Sequence, residues 1–247
     1  MTLLLTVVAT ALAAEPHSGG LDLSPQAVWA SMGLPARLVL ITMNLMLVAC
    51  VYVAIERVLY FMSARGQSRA LAEAIGAPLK KGDLDGAIKL AGSPAYAKAY
   101  LAAIVGAALK QYAARTDKHG IAAADRAIES VTLEEGSALR KGMNILATTG
   151  STTPFVGLVG TIFGIINAFG TMKAEGGADI ASLSGAIGEA LVSTAVGIAV
   201  AIVAIWIYNY FNAVIDDILK DVTVSTHELR DFFEKDALRR SESAAAK

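Results

Sequence analysis

The sequence predicts an all-α integral membrane protein. It has three transmembrane helices, a cytoplasmic helical domain, and a long third helix extending into the cytoplasm. Three observations carry that prediction. Of 247 residues, 55% are hydrophobic and only 17% charged, with mean hydropathy +0.53; soluble domains average about a quarter charged. Three apolar stretches reach the roughly 20 residues that a membrane-spanning helix needs. Small residues (Ala, Gly, Ser, Thr) dominate those stretches, which suits helices packed closely in lipid. Other classes drop out on composition. A formal net charge of −1, with no basic aromatic-rich stretch, gives no reason to expect nucleic acid. Cys50 is the single cysteine, so no intrachain disulfide forms. His17, His119 and His227 are scattered and offer no metal-ligand spacing. No cofactor is implied, and no nucleophile–base constellation suggests an enzyme.

Taken in order, residues 1–14 ("MTLLLTVVATALAA") form an apolar stretch too short to span, read as a signal peptide or an apolar leader. Residues 15–37, with Pro16, Gly19, Gly20 and Pro25, form a periplasmic polar segment with a short helix around "PQAVWASMG". The first span covers 38–62. The stretch 63–144 alternates Ala, Leu and Ile faces with charges at helical spacing, and Pro78, Gly82, Gly92, Pro94 and Gly120 punctuate it. Within it "KKGDLDGAIKLA" reads as a tight turn into a short helix with Asp83 as N-cap. The second span covers 145–172, a periplasmic loop 173–179, and the third span 180–211. That last run of about 32 residues would measure ~48 Å as a helix, beyond a ~30 Å hydrocarbon core. Val214, Ile215, Ile218, Leu219 and Val222, then Leu229, Phe232 and Phe233, continue its apolar stripe. Residues 212–247 therefore read as a cytoplasmic extension of the same helix, with "RRSESAAAK" as a frayed end. Lys and Arg set the orientation. Of the 21, twelve lie between Ala64 and Lys141, against Arg37 alone before the first span and Lys173 alone between the second and third. The positive-inside rule then places the N-terminus in the periplasm and the large helical domain and tail in the cytoplasm.

Few residues in the spans could carry chemistry. In the second, Gly150, Pro154, Gly157, Thr161, Gly164 and Ala168 recur at three- and four-residue spacing, making one face nearly free of bulk. Pro154 removes a backbone donor, and Gly150, Ser151 or Thr152 could satisfy the freed carbonyl. In the third span, "GEALVSTAVGIAV" puts Glu189, Ser193 and Thr194 in apolar surroundings. Glu189 and Thr194, five residues apart, sit about 140° apart around a helix. Glu189 shares its face with Gly185, Ser193 and Val196; Thr194 shares its face with Ala190, Gly197 and Ala201. Thr161 lies 11 residues from Met172 and Thr194 lies 14 from Ile180, so both fall near mid-membrane. A carboxyl inside the bilayer is a functional candidate by default; its alternative is a neutral, hydrogen-bonded structural group. The spans hold no second carboxylate near Glu189, while Glu56 and Arg57 sit near the cytoplasmic end of the first span and pair locally or snorkel. If protons cross, a partner must supply the titrating group.

The stretches "ILATTGSTTPFVGLVGTIFGIINAF" and "IGEALVSTAVGIAVAIVAIWIYNYF" resemble the paired pore helices of the ExbB/TolQ/MotA proton-channel family, and "KKGDLDGAIKLA" is similar to its cytoplasmic segment. A single span before the cytoplasmic domain resembles the ExbB/TolQ branch. The resemblance implies an inner-membrane homopentamer around a single-span ExbD/TolR-like subunit whose membrane Asp carries the proton. By position, Thr161 and Thr194 would line the pore beside that Asp, and Glu189 would be the family's membrane glutamate. Pro154, Gly157 and Gly164 would shape the pore wall, packed with Ser193 and Gly197. "TTGSTTP" carries more hydroxyls than the usual family stretch. The implied function is a pore-forming subunit of a proton-driven motor. It would work on periplasmic or outer-membrane partners, such as a TonB-like protein in TonB-dependent uptake. Tol-type envelope maintenance and gliding motility are the alternatives within the family, and a non-conducting membrane scaffold is the alternative outside it.

Overall fold

A computed structural model describes Trp29, residues 32–174, Gly177 and residues 180–245; of some residues within these, Glu189 among them, it describes the backbone alone. The expected leader, most of the N-terminal segment and most of the loop 173–179 lie outside the described residues. Among the described residues six α-helices follow one another: α1 Leu34–Lys80, α2 Leu84–Ala91, α3 Tyr100–Ala114, α4 Lys118–Leu139, α5 Met143–Ala174 and α6 Ile180–Ala245. A 3-10 turn at Pro94–Tyr96 links α2 to α3, and no strand occurs among the described residues. Helices α1, α5 and α6 are each long and apolar enough to cross a membrane. The chain is an all-α membrane protein.

Local chemistry explains where the helices stop and start. The carbonyl of Pro78, in the last turn of α1, accepts from the backbone N–H of Lys81 and Asp83, and Gly82 at φ +72° makes the reversal. Asp83 then caps α2, its carboxylate accepting from the Gly86 N–H at 2.8 Å. Asp117 does the same for α4, taking the N–H groups of His119 and Gly120 at 3.0 and 2.9 Å. Gly142, at φ +81°, turns the chain between α4 and α5. Pro154 does not interrupt α5.

The chain divides into two compact units. The first holds the residues up to Val53 with Asn144–Tyr208. In it, α5 and α6 run antiparallel along a seam of small residues: Gly150 meets Ile205, Gly157 meets Ser193, Thr194 and Gly197, and Gly164 meets Ala190. The contact positions on α5 recur every seven residues, and Ala190, Gly197 and Ala204 match that period on α6, Ala190 and Ala204 being almost fully buried. A Cβ on Gly157 would lie 2.9 Å from the Ser193 carbonyl oxygen and 3.1 Å from the Thr194 Cα. The arrangement is reciprocal, because a Cβ on Gly197 would lie 2.8 Å from the Thr153 carbonyl oxygen and 3.1 Å from the Gly157 Cα. Each glycine thus presents a Cα–H to a carbonyl of the opposite helix, a weak bond that recurs where helix backbones touch. From α1, Met43 and Cys50 are fully buried, and the Met46 sulfur lies 3.9 Å from the Thr153 hydroxyl oxygen. The outward faces carry exposed Leu38, Leu45, Phe155, Ile162, Leu191 and Trp206, as faces turned to lipid do.

The second unit holds Ala54–Met143 and the chain from Asn209 onward. Its core follows the α6 stripe: Phe211, Ile215, Ile218, Val222, Leu229 and Phe233 are all buried. The Tyr112 ring of α3 stacks on Phe233 at 4.4 Å between centroids. The Tyr112 hydroxyl donates to the Asp236 carboxylate at 3.0 Å and lies 3.2 Å from the Phe233 carbonyl oxygen. Asp236, 2% exposed, also accepts from Arg239 and Arg240, each at 2.6 Å. Helix α6 therefore persists to Ala245 rather than fraying at Arg239, because a buried carboxylate anchors both arginines. Burial pushes the Asp236 carboxyl up, but hydrogen bonds from Arg240, Arg239 and Tyr112 outweigh it and hold its pKa below the usual aspartate value. Burial and the hydrogen bond to Asp236 push the Tyr112 phenol up.

Two outcomes follow for stability. Asp236→Asn removes the charge from hydrogen bonds to two solvent-exposed arginines and should cost about 1.5 kcal/mol, the lower end for a hydrogen bond to a charged group, read as a lower melting temperature in detergent. Since the folded pKa is depressed, the stabilisation is present above the unfolded value near 4 and is lost as pH falls through the folded one. The variant's melting temperature should therefore depend less steeply on pH below about 4. Gly157→Leu should abolish packing of α5 on α6, because the new side chain meets backbone on both sides. Gly170→Ala, whose Cβ would meet nothing within 4 Å, should melt at or above the parent temperature.

Candidate functional site

The candidate site lies on the seam between α5 and α6. Four of the residues singled out in the sequence meet there: Gly157 packs directly against the backbone of Ser193, Thr194 and Gly197. Gly160 opposes Ser193, a Cβ on it falling 2.9 Å from the Ser193 Cβ and 3.0 Å from a Val39 methyl of α1. Ser193 therefore points into the space among three helices. Gly164 packs on Ala190, one turn further along. Thr161 is 6% exposed and sits one turn along α5 from Gly157. Pro154 is half-buried within α5. Glu189 belongs to α6, and its side chain lies outside the described residues.

The hydroxyls divide into two groups. Most of those on α1 and α5 satisfy themselves on their own helix, as polar groups in apolar surroundings must. Thr42 donates to the Leu38 carbonyl at 2.8 Å, Thr152 to Thr148 at 2.7 Å, Ser151 to Thr148 at 3.1 Å and Thr161 to Leu158 at 2.7 Å; Thr153 donates to Thr149. The hydroxyls before Pro154 thus serve the carbonyls of Thr148 and Thr149, not the Gly150 carbonyl that the proline frees. Ser193 and Thr194 differ. Both oxygens are buried, and neither has a hydrogen-bond partner among the described residues.

The chemistry of such a site is narrow. It has hydroxyls, tight backbone and apolar walls, and no group of three or more His, Cys, Asp or Glu side chains converges anywhere among the described residues. Nothing here assembles a nucleophile and base. A hydroxyl that already donates to its helix, as Thr161 does, still accepts; a hydroxyl with no partner, as at Thr194, both donates and accepts. The sequence pointed to the glycines through spacing and to the threonines through their depth in the spans and the family resemblance. It did not single out the part played by α1, because Met43, Met46 and Cys50 look like ordinary apolar filling until their contacts with Gly197, Thr153 and the seam are seen.

Comparison with known proteins agrees with this geometry. A profile of the MotA/TolQ/ExbB proton channel family matches residues 96–223, about half of the chain, taking in α3, α4, α5 and much of α6. A biopolymer transport protein ExbB from Xanthomonas campestris pv. campestris (strain B100) is 42% identical over 109 residues, 44% of this chain and 43% of that protein. An ExbB from Neisseria gonorrhoeae is 43% identical over 88 residues, 36% of this chain and 40% of its own length. A Tol-Pal system protein TolQ from Pseudomonas aeruginosa (strain PAO1) is 41% identical over 88 residues, 36% of this chain and 38% of its own. The matched part thus spans less than half the length of each of these relatives. The seam of α5 on α6 falls largely within the matched family region, and on that match the chain belongs to the MotA/TolQ/ExbB proton channel family.

Proposed function

We propose that this chain is the pore-forming subunit of a proton-driven motor in the bacterial inner membrane, of the ExbB/TolQ kind. The observation that carries the reading is the unpartnered, buried Thr194 hydroxyl on α6, beside the Gly157 contact with α5. Copies of the chain, five by the resemblance, would surround a single-span ExbD/TolR-like subunit whose membrane Asp takes and releases the proton. Thr161 and Thr194 suit both states of that carboxyl. When it is neutral, Thr161 accepts its O–H and Thr194 donates to its carbonyl oxygen; when it is ionised, the Thr194 donor remains while the apolar wall disfavours the charge. The alternation between these states, driven by the electrochemical gradient, would turn or rearrange the pentamer relative to the partner. Force would then reach a periplasmic partner, TonB-like if the cargo is outer-membrane uptake. The names of the relatives, ExbB and TolQ, support both TonB-type and Tol-type work. The Lys and Arg distribution supports a periplasmic N-terminus, a cytoplasmic domain over 63–144 and a cytoplasmic tail over 212–247. Spans over 38–62, 145–172 and 180–211 fit within α1, α5 and α6. Glu189 would act in support, and the chain would need no cofactor.

Two substitution experiments test the assignment of residues. Thr161→Ala with Thr194→Ala should leave the assembly intact, by its mass in native detergent complexes, and cut energised work at least tenfold, about what one charge-assisted hydrogen bond is worth. Thr194→Ser, which keeps the hydroxyl, should retain most of that work. Normal work in the double variant rules these threonines out of the path. Glu189→Gln should reduce energised work less than the double threonine change. A loss as large as that of the double variant would make Glu189 the central titrating group instead.

A further inference from the structure

Arginines in the second unit mostly find a carboxylate. Arg57, Arg115, Arg140, Arg230, Arg239 and Arg240 are each paired with one. Among the described residues no carboxylate pairs with Arg65 of α1, nor with Arg69 one turn further on. Arg65 is nevertheless half-buried. Its Nη2 donates to the Val214 carbonyl of α6 at 3.2 Å, while its Nε is buried without a hydrogen-bond partner. Asp221 of α6 and both arginines act on the buried Tyr100 phenol of α3, so Asp221 faces the same corner, but it forms no ion pair with either. A half-buried guanidinium with only a neutral carbonyl to meet it leaves its charge uncompensated.

The face of α1 beside Arg65 changes character along its length. Leu59 and Met62 are 64% and 70% exposed, and Gly66 and Arg69 continue the same helical face. A Cβ on Gly66 would meet nothing within 4 Å, so the space next to the arginines is open. On α6, Tyr210 is 63% exposed one turn before Val214, and tyrosines collect where a membrane meets water.

Depth selects the occupant. Met62 is the expected end of the first span, which puts Arg65 ~4.5 Å, Gly66 ~6 Å and Arg69 ~10 Å beyond it along the helix. The headgroup layer is about 5–8 Å thick on each side of the hydrocarbon. Leu59 and Met62 suit an acyl chain, and a cation without a counter-charge at headgroup depth suits a phosphate, whose oxygens match the guanidinium fork.

We propose that Arg65, Gly66 and Arg69 form a binding site for the phosphate of an anionic phospholipid of the cytoplasmic leaflet, whose acyl chain lies along Leu59 and Met62. The inference rests on the reading of residues 38–62 as a span with its cytoplasmic end at Met62. The lipid supplies the counter-charge that α6 does not.

The full chain, delipidated in a neutral detergent, is titrated with phosphatidylglycerol and with phosphatidylcholine, and native mass spectrometry counts both bound lipid and chains per assembly. The parent should prefer phosphatidylglycerol roughly twentyfold, about fivefold for each of two cations near the membrane surface. Arg65→Gln should lower that preference about fivefold. Gly66→Glu sets a carboxylate in the open space without disturbing packing and should lower it by about as much. That variant decides the matter where Arg65→Gln does not accumulate. Arg115→Gln, which removes an exposed and paired arginine elsewhere in the unit, should leave the preference unchanged. Equal affinity of the parent for both lipids, a parental preference in Gly66→Glu, or an equal loss in Arg115→Gln overturns the site. A smaller assembly in Gly66→Glu with the lipid preference kept also overturns it, and puts a second copy of the chain on this face. Gly66→Cys, labelled with an impermeant maleimide in right-side-out and inverted vesicles, tests the reading underneath, since Cys50 is fully buried. Labelling only in right-side-out vesicles means that the orientation has failed; labelling only in inverted vesicles, without a lipid preference, means that the lipid site alone has failed.

Discussion

The close approach of α5 and α6 at Gly157 and Gly197 is the constraint on which the membrane unit depends. In lipid, apolar surface alone gives helices little reason to associate, so contact must come from packing and from bonds that require near contact. Here a Cβ on either glycine would fall within 3 Å of a carbonyl oxygen on the facing helix. Side chains are thereby excluded at the crossing, and the seven-residue recurrence of Gly150, Gly157 and Gly164 against Ala190, Gly197 and Ala204 follows. The same approach sets the environment of Ser193 and Thr194, whose backbones form the surface on which Gly157 rests.

A seam this tight leaves the helices few ways to express polarity, and they use two. On α5 the hydroxyls turn inward to their own carbonyls, which keeps a Thr-rich stretch compatible with lipid and with tight packing. On α6 two consecutive hydroxyls remain unpaired. The first pattern satisfies polarity within one helix, while the second leaves the hydrogen-bonding capacity of two buried oxygens unused among the described residues. The charges of the second unit follow the opposite logic. Asp236 collects three donors, and Arg57 meets a carboxylate, a carbonyl and an aromatic face. Those groups are held by several partners each, so they serve to hold helices in place.

How much of this was legible in the sequence depends on the range of the interaction. Hydropathy and length mark α1, α5 and α6 because burial in lipid acts on every residue of a run. Asp83 was legible as a cap because capping is local, three residues long. Periodicity placed Gly157, Gly164 and Gly197 on packing faces for the same reason. What escaped was set by contacts between distant parts of the chain. Pro78 reads as a break, yet α1 continues to Lys80, and the carbonyl of Pro78 itself accepts the N–H groups of Lys81 and Asp83 in the turn that follows. "RRSESAAAK" reads as a loose end, yet Asp236 and, through it, Tyr112 fix Arg239 and Arg240 in a helix. The sequence read Glu56 and Arg57 as pairing locally or snorkelling, but gave no sign that Arg57 reaches the end of α4, 81 residues further along.

The central claim is that a hydroxyl pair on tightly packed helices carries protons only when a second chain brings the carboxyl. It is tested most directly by proton uptake into liposomes containing the full chain, with and without the single-span subunit, under an imposed gradient. The account predicts flux that needs both chains and the gradient, and that vanishes when the partner's membrane Asp is replaced by Asn. Equal flux from the chain alone, or none from the complete complex, would contradict it.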